Sequence, residues 1–121
     1  MHRALLPLLA LAIAPIGDFE FFYGNFSRAV VRGEAAHVAA LTRTPFLFEG
    51  KKLDSQAFQA AVPRLFDAPM RDCLRSAKVV TAGARRQIAC HGSRLVFEEV
   101  SRGDWRFTRF ESADGVGRKP R

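Results

Sequence analysis

The sequence predicts a small α+β domain in which helices come first and an antiparallel sheet closes the chain. Three observations carry this. Apolar residues recur at helical spacing as far as about residue 74, and short β-rich runs separated by two-residue turns follow from Ala77. The last two runs flank Ser101-Arg-Gly-Asp104, where Gly103 can take the positive φ of a tight turn, and read as a closing β-hairpin. With 121 residues and 48% hydrophobic content, the chain suffices for one domain with its own core.

Residues 1–17 read as a signal peptide. Met1-His-Arg3 is a short basic start, Ala4 to Ile16 is an apolar run, and Ala12-Ile-Ala14 has the small-x-small form of a signal-peptidase site. Cleavage after Ala14 leaves Pro15 just beyond the cut, so cleavage after Gly17 is the second candidate. The competing reading, a buried N-terminal helix, is opposed by Pro7 and Pro15. The run is shorter than the about 20 residues of a membrane span, and no Cys follows it to carry a lipid anchor. The mature chain is therefore expected to be periplasmic or secreted, with no transmembrane span.

Asp18 is placed to cap a helix over 19–31, where Phe19, Phe22, Tyr23, Phe26 and Val30 form a mainly aromatic stripe. Gly33 ends it. A short helix over 34–43 turns Ala35, Val38 and Leu41 inward and stops at Thr44-Pro45. Phe46-Leu-Phe48 is a short extended run, and Glu49-Gly-Lys-Lys-Leu53 makes a turn with a brief return strand. Asp54 or Ser55 caps the next helix, which carries Phe58, Ala61, Val62, Leu65 and Phe66 at helical spacing. Pro63 predicts a kink or a fresh start there. Asp67-Ala-Pro69 then restarts a final turn or two with Met70, Cys73 and Leu74 on one side.

Strands are expected over 78–82, 85–91, 93–100 and 104–111, with turns at Gly83-Ala84, Gly92-Ser93 and Arg102-Gly103, giving a four-stranded antiparallel meander. If Arg102 and Gly103 form a two-residue loop, Val100 faces Trp105, Glu99 faces Arg106, Leu95 faces Phe110 and Arg94 faces Glu111. Alternation then places Val96, Glu98, Val100, Trp105, Phe107 and Arg109 on one side of the hairpin, and Leu95, Phe97, Glu99, Arg106, Thr108 and Phe110 on the other. Both sides come out half apolar. The outer one is then expected to meet something, such as a second copy of the chain. Residues 113–121 read as a loose basic tail.

The formal charge is +7, but the arginines are scattered, with no basic block and no RNP-type, zinc-finger or helix-turn-helix pattern. Nucleic acid is accordingly not an expected partner. Cys73 and Cys90 fit the export reading: an oxidising compartment favours pairing them, and the chain allows a single pairing. The competing reading is two buried free thiols.

The order of helix, short helix, small hairpin, helix and antiparallel meander resembles the nuclear transport factor 2-like superfamily, the cone-shaped cystatin-like α+β fold. The residues that carry the resemblance are Phe26-Ser-Arg-Ala-Val-Val-Arg-Gly-Glu34, Thr44-Pro-Phe-Leu-Phe-Glu-Gly-Lys-Lys-Leu-Asp54 with Phe58, and Gly103-Asp-Trp-Arg-Phe-Thr-Arg-Phe110. The chain looks like one of the small exported bacterial members, with the resemblance running from about Asp18 to Ser112. It implies helices packed in the concave face of a bent antiparallel sheet, a pocket at the wide end of the cone and dimerisation through the outer sheet face. Enzymes of that superfamily, of the isomerase and dehydratase kinds, hold acids or histidines inside the cone, and none of their constellations maps onto this chain.

The residues themselves supply no catalytic, metal or cofactor signature. Glu99 is a candidate pocket acid, weighed against simple pairing with Arg106. Tyr23 could place its hydroxyl in the cone, and Trp105 could line a pocket mouth or an interface, both weighed against plain core packing. His37 and His91 are read as surface residues. The expected role is binding, of a small apolar ligand or of a protein that includes a second copy. The alternatives are an isomerase- or lyase-type enzyme with an acid in the cone, and an electrostatic binder of anionic surfaces.

Overall fold

A computed structural model describes residues 18–112; the expected signal peptide and basic tail lie outside that range. Helix α1 (Asp18–Arg32) turns Phe19, Phe22, Phe26, Ala29 and Val30 into the core, so the aromatic stripe is the buried face. Helix α2 (Ala35–Ala40) is shorter than its alanine-rich sequence predicts. The chain leaves it at Leu41 to pair with the last strand. Phe107 N donates to Leu41 O at 3.0 Å and Arg43 N donates to Phe107 O at 2.9 Å, a parallel contact that the helix could not make.

Strands β1 (Phe46–Phe48) and β2 (Lys51–Leu53) form a two-stranded hairpin with Phe46 opposite Leu53. Its turn residues Glu49 and Gly50 have φ of 53° and 80°, and His91 and Gly92 repeat the pattern at 52° and 80°. Two successive positive φ values give the turn whose twist matches the flanking strands, which is why glycine holds the second place in each.

Helix α3 (Ser55–Leu65) is capped by Asp54, whose Oδ1 accepts from Ala57 N at 2.8 Å. Pro63 sits within α3 and does not start a new helix, while the restart expected at Asp67 is found. That carboxylate accepts from Met70 N at 3.0 Å and opens helix α4 (Ala68–Ser76), with Pro69 in the first turn where its missing N–H is not needed.

The four-stranded meander is β3 (Val80–Ala82), β4 (Arg85–Cys90), β5 (Ser93–Ser101) and β6 (Asp104–Ser112), antiparallel and in sequence order. The helices pack on one side of it, so the fold is α+β as expected. The register of the last hairpin needs correcting, however. Arg94 opposite Glu111 and Leu95 opposite Phe110 hold, but Glu99 faces Trp105 and Glu98 faces Arg106. The ladder slips by one residue between Glu99 and Ser101 and slips back between Val96 and Phe97, leaving Val100 and Thr108 as the extra residues.

Between the two bulges each side chain of β6 changes face, because strand alternation has a period of two. Trp105 and Phe107 therefore join Leu95, Phe97 and Phe110 on the helix side, while Arg106 faces outward with Glu98 and Arg109. Burial of Trp105 and Phe107 against α1 is the physical reason, since the unbulged register would have exposed both and buried Arg106. The half-apolar outer face is thus replaced by a polar one. At its centre Val96 is fully buried between its ladder neighbours Gln87 and Arg109.

Cys73 on α4 and Cys90 on β4 are disulfide-bonded, with Cα atoms 5.9 Å apart, which removes the free-thiol alternative. Among the described residues no helix is long and apolar enough to cross a membrane.

Candidate functional site

Packing decides first what the inside of the fold can hold. Phe97 stands at its centre, with ring centroids of Phe26 at 5.3 Å, Phe107 at 5.5 Å and Phe19 at 5.6 Å in edge and tilted contacts. Phe46, Phe58 and Phe66 extend the cluster, all essentially inaccessible to solvent. The concave face is filled by phenylalanine.

Of the residues singled out from the sequence, Glu99 and Trp105 stand opposite each other in the β5–β6 ladder, and the Phe19 ring touches both Tyr23 and Trp105. Tyr23 is half-buried and donates its hydroxyl to Leu74 O at 2.8 Å, tying α1 to α4, and burial pushes its pKa up to about 12. Glu99 makes no ion pair with Arg106; its Oε2 accepts from Gly103 N at 2.7 Å and holds the turn. Trp105 is buried beside Phe19 at 5.1 Å, and the Arg86 guanidinium covers its ring at 5.0 Å from the centroid. Arg106 pairs with Asp104 at 3.0 Å. His37 meets Glu34, and His91 Nε2 lies 3.0 Å from Pro69 O.

The outer sheet face is a network of charges. Glu98 lies 3.1 Å from Arg109 and 3.4 Å from Arg43, and Arg109 reaches Glu111 at 2.8 Å. Burial pulls the Glu98 carboxyl upward, but the hydrogen bond and charge of Arg109, aided by Arg43 and Thr108, outweigh it and leave the pKa below the usual range. Arg85 stands opposite Glu98 on the neighbouring strand.

A concave feature among the described residues with room for a ligand lies at the opposite end of the hairpin from its turn. A groove of about 790 Å³ opens between the β1–β2 hairpin and the end of β6. Leu47, Phe48, Glu49 and Gly50 form one wall, Phe110, Glu111 and Ser112 with Ser93 form the other, and Leu65 and Met70 lie beneath with Arg64 at the rim. Ser93, Phe110 and Ser112 share the helix-side face of the sheet, so the groove opens over the end of that face, with Glu111 beside it.

Apolar and charged groups are both available there. Leu47 is 60% exposed and offers apolar surface at the groove. Glu49 and Arg64 make no ion pair among the described residues, so each is available to an incoming group. None of these positions stands out in the sequence, although Leu47-Phe48 before a two-residue turn is more apolar surface than a two-stranded hairpin needs. Among the described residues no cluster of three or more His, Cys, Asp or Glu side chains could hold a metal ion. Comparison with known protein families, with characterised proteins and with solved structures finds no match to this chain.

Proposed function

We propose that this chain is an exported binding domain of the nuclear transport factor 2-like type, and that its recognition site is the groove between the β1–β2 hairpin and the end of β6. The groove is the observation that carries the reading: it joins exposed apolar surface to uncommitted charges, whereas the interior that would host a cone ligand is packed with rings. Support for the fold type is the order of elements with helices on one side of an antiparallel meander. The disulfide is compatible with an oxidising compartment outside the cytoplasm. An acid acting inside the cone has no such support, because Tyr23 and Glu99 are both committed to backbone partners.

Titration with the amphiphilic dye anilinonaphthalene sulfonate, whose rings seek apolar surface and whose sulfonate is anionic, followed by backbone amide shifts, tests the site. Shifts are expected at Leu47–Gly50, Met70 and Phe110–Ser112, and Leu47→Asp should weaken binding roughly tenfold, the equivalent of one buried leucine side chain. Shifts centred on Arg85, Arg106 and Arg109, with affinity that falls steeply as salt is raised, would overturn the groove and favour binding of anionic surfaces.

A further inference from the structure

Resting on the groove as the binding site, we infer that its ligand is a single-chain zwitterionic amphiphile: an alkyl chain laid on the apolar floor, with a headgroup that carries both an anionic and a cationic centre. The floor is continuous. The Phe48 and Phe110 rings lie 6.2 Å apart edge to face, and Leu65 and Met70 are buried beneath them. Phe46 also meets Phe110, at 6.1 Å, so β1 is closed onto β6 and an incoming molecule meets mainly side chains. The groove's volume of about 790 Å³ falls within the roughly 300–1,000 Å³ in which small ligands are held. One apolar strip of this size suits one chain.

Two charges of opposite sign stand over this floor. Glu49 and Arg64 are exposed and make no ion pair or hydrogen bond among the described residues. Glu111, by contrast, is held by Arg109 at 2.8 Å. Glu49 is also an unexpected residue for its backbone. Its φ of 53° lies in the left-handed region that glycine, asparagine, aspartate and histidine adopt most readily. His91 holds the matching place in the second such turn, and its Nε2 lies 3.0 Å from Pro69 O. The His91 side chain therefore has a partner within the fold, and the Glu49 carboxylate is left for a ligand's cation. A ligand with a single charge would be drawn to one of the two groups and repelled by the other, whereas a zwitterion is attracted by both. Because both groups are exposed, each attraction is worth roughly 1.5- to 5-fold in affinity.

The experiment titrates the disulfide-bonded protein with dodecylphosphocholine, laurate and dodecyltrimethylammonium, each below its micelle concentration, and follows the amides of Leu47, Phe48, Met70 and Phe110. Dodecylphosphocholine is expected to displace the dye and to bind roughly two- to tenfold more tightly than either singly charged chain. Glu49→Gln should erase its advantage over laurate, and Arg64→Gln its advantage over dodecyltrimethylammonium; both positions are exposed, so the fold is kept. Equal affinities for the three chains, or an order that both variants leave unchanged, would overturn the zwitterion and leave the groove reading intact. So would dye binding in the groove with no alkyl chain bound. Glycerophosphocholine bound as tightly as dodecylphosphocholine would overturn the amphiphile in favour of a bare headgroup. Protein retained on phosphatidylcholine vesicles without uptake of the monomeric probes would overturn it in favour of a membrane surface. If the dye and all three chains leave the groove amides unmoved, both readings fall.

Discussion

The two sides of the β5–β6 hairpin are built on opposite principles. The inner side presents Leu95, Phe97, Trp105, Phe107 and Phe110 to the helices, and the outer side presents Glu98, Arg106, Arg109 and Glu111 to solvent. Apart from the partly buried Phe110, these inner side chains give up nearly all their water contact, and their packing accounts for much of the stability of the fold. Charges on the outer side stay partly exposed, so each ion pair contributes little. The two bulges belong to this division: they stabilise the inner side by turning Trp105 and Phe107 inward, and the outer side accepts the residues that are displaced.

Truncating Phe97 should break the inner side. Five aromatic rings surround it: Phe19, Phe22, Tyr23, Phe26 and Phe107. Phe97→Ala is expected to destabilise the fold by about 3–5 kcal/mol in denaturant titration, the range for a large buried aromatic. A loss below about 1 kcal/mol would mean that the ring sits in a space able to collapse, or is not central.

Next in size is the disulfide, which ties α4 to the sheet behind the groove. Replacing both Cys73 and Cys90 by Ser should cost about 3 kcal/mol on the chain-entropy account, measured in the same titration. An unchanged midpoint would show that the helix stays on the sheet without the bond.

Much of this architecture is legible in the sequence because it follows from local chemistry. The Phe19-Phe22-Phe26 spacing marks the buried face of α1, Asp54 and Asp67 are helix caps, and four β-rich runs with turn residues between them give the meander. The hairpin register failed because turn chemistry and cross-strand charge pairing are local, whereas the bulges at Val100 and Thr108 are decided by what lies across the core. Glu99 opposite Arg106 is a satisfactory pair in isolation, but it would bury an arginine and expose a tryptophan. The groove was illegible for a related reason. Its walls come from segments some 60 residues apart in the chain, roughly Leu47–Gly50 and Phe110–Ser112, and no single position carries an unusual residue type.

Tyr23 lies where the inner side meets solvent, and it is the sole tyrosine of the chain, so tyrosinate absorbance reports it alone. Its titration midpoint is expected near 12, displaced from the ordinary 10.0 because the neutral ring is buried. A folded pKa raised above the unfolded one contributes stability that is complete below pH 10 and lost as pH rises toward about 12. Tyr23→Phe should abolish that alkaline loss while costing about 1 kcal/mol at neutral pH for the bond to Leu74 O. A midpoint at the ordinary value would place the hydroxyl in water.

The outer side should respond least. Glu98→Gln is expected to cost under about 1 kcal/mol at neutral pH, and a double-mutant cycle with Arg109→Gln should return a coupling of about 0.2–1 kcal/mol that shrinks as salt is added. The pH dependence has the opposite sign to that of Tyr23. Glu98 has a folded pKa below its unfolded one, so its contribution is present above the ordinary carboxylate range and is lost as pH falls through the depressed folded value. Glu98→Gln should therefore flatten the acid limb of the stability curve and leave the alkaline limb untouched. A coupling above about 2 kcal/mol, insensitive to salt, would place Glu98 and Arg109 in a dry environment. It would mean that a further surface covers the outer face in solution, and the division between a packed side and a solvated side would no longer hold.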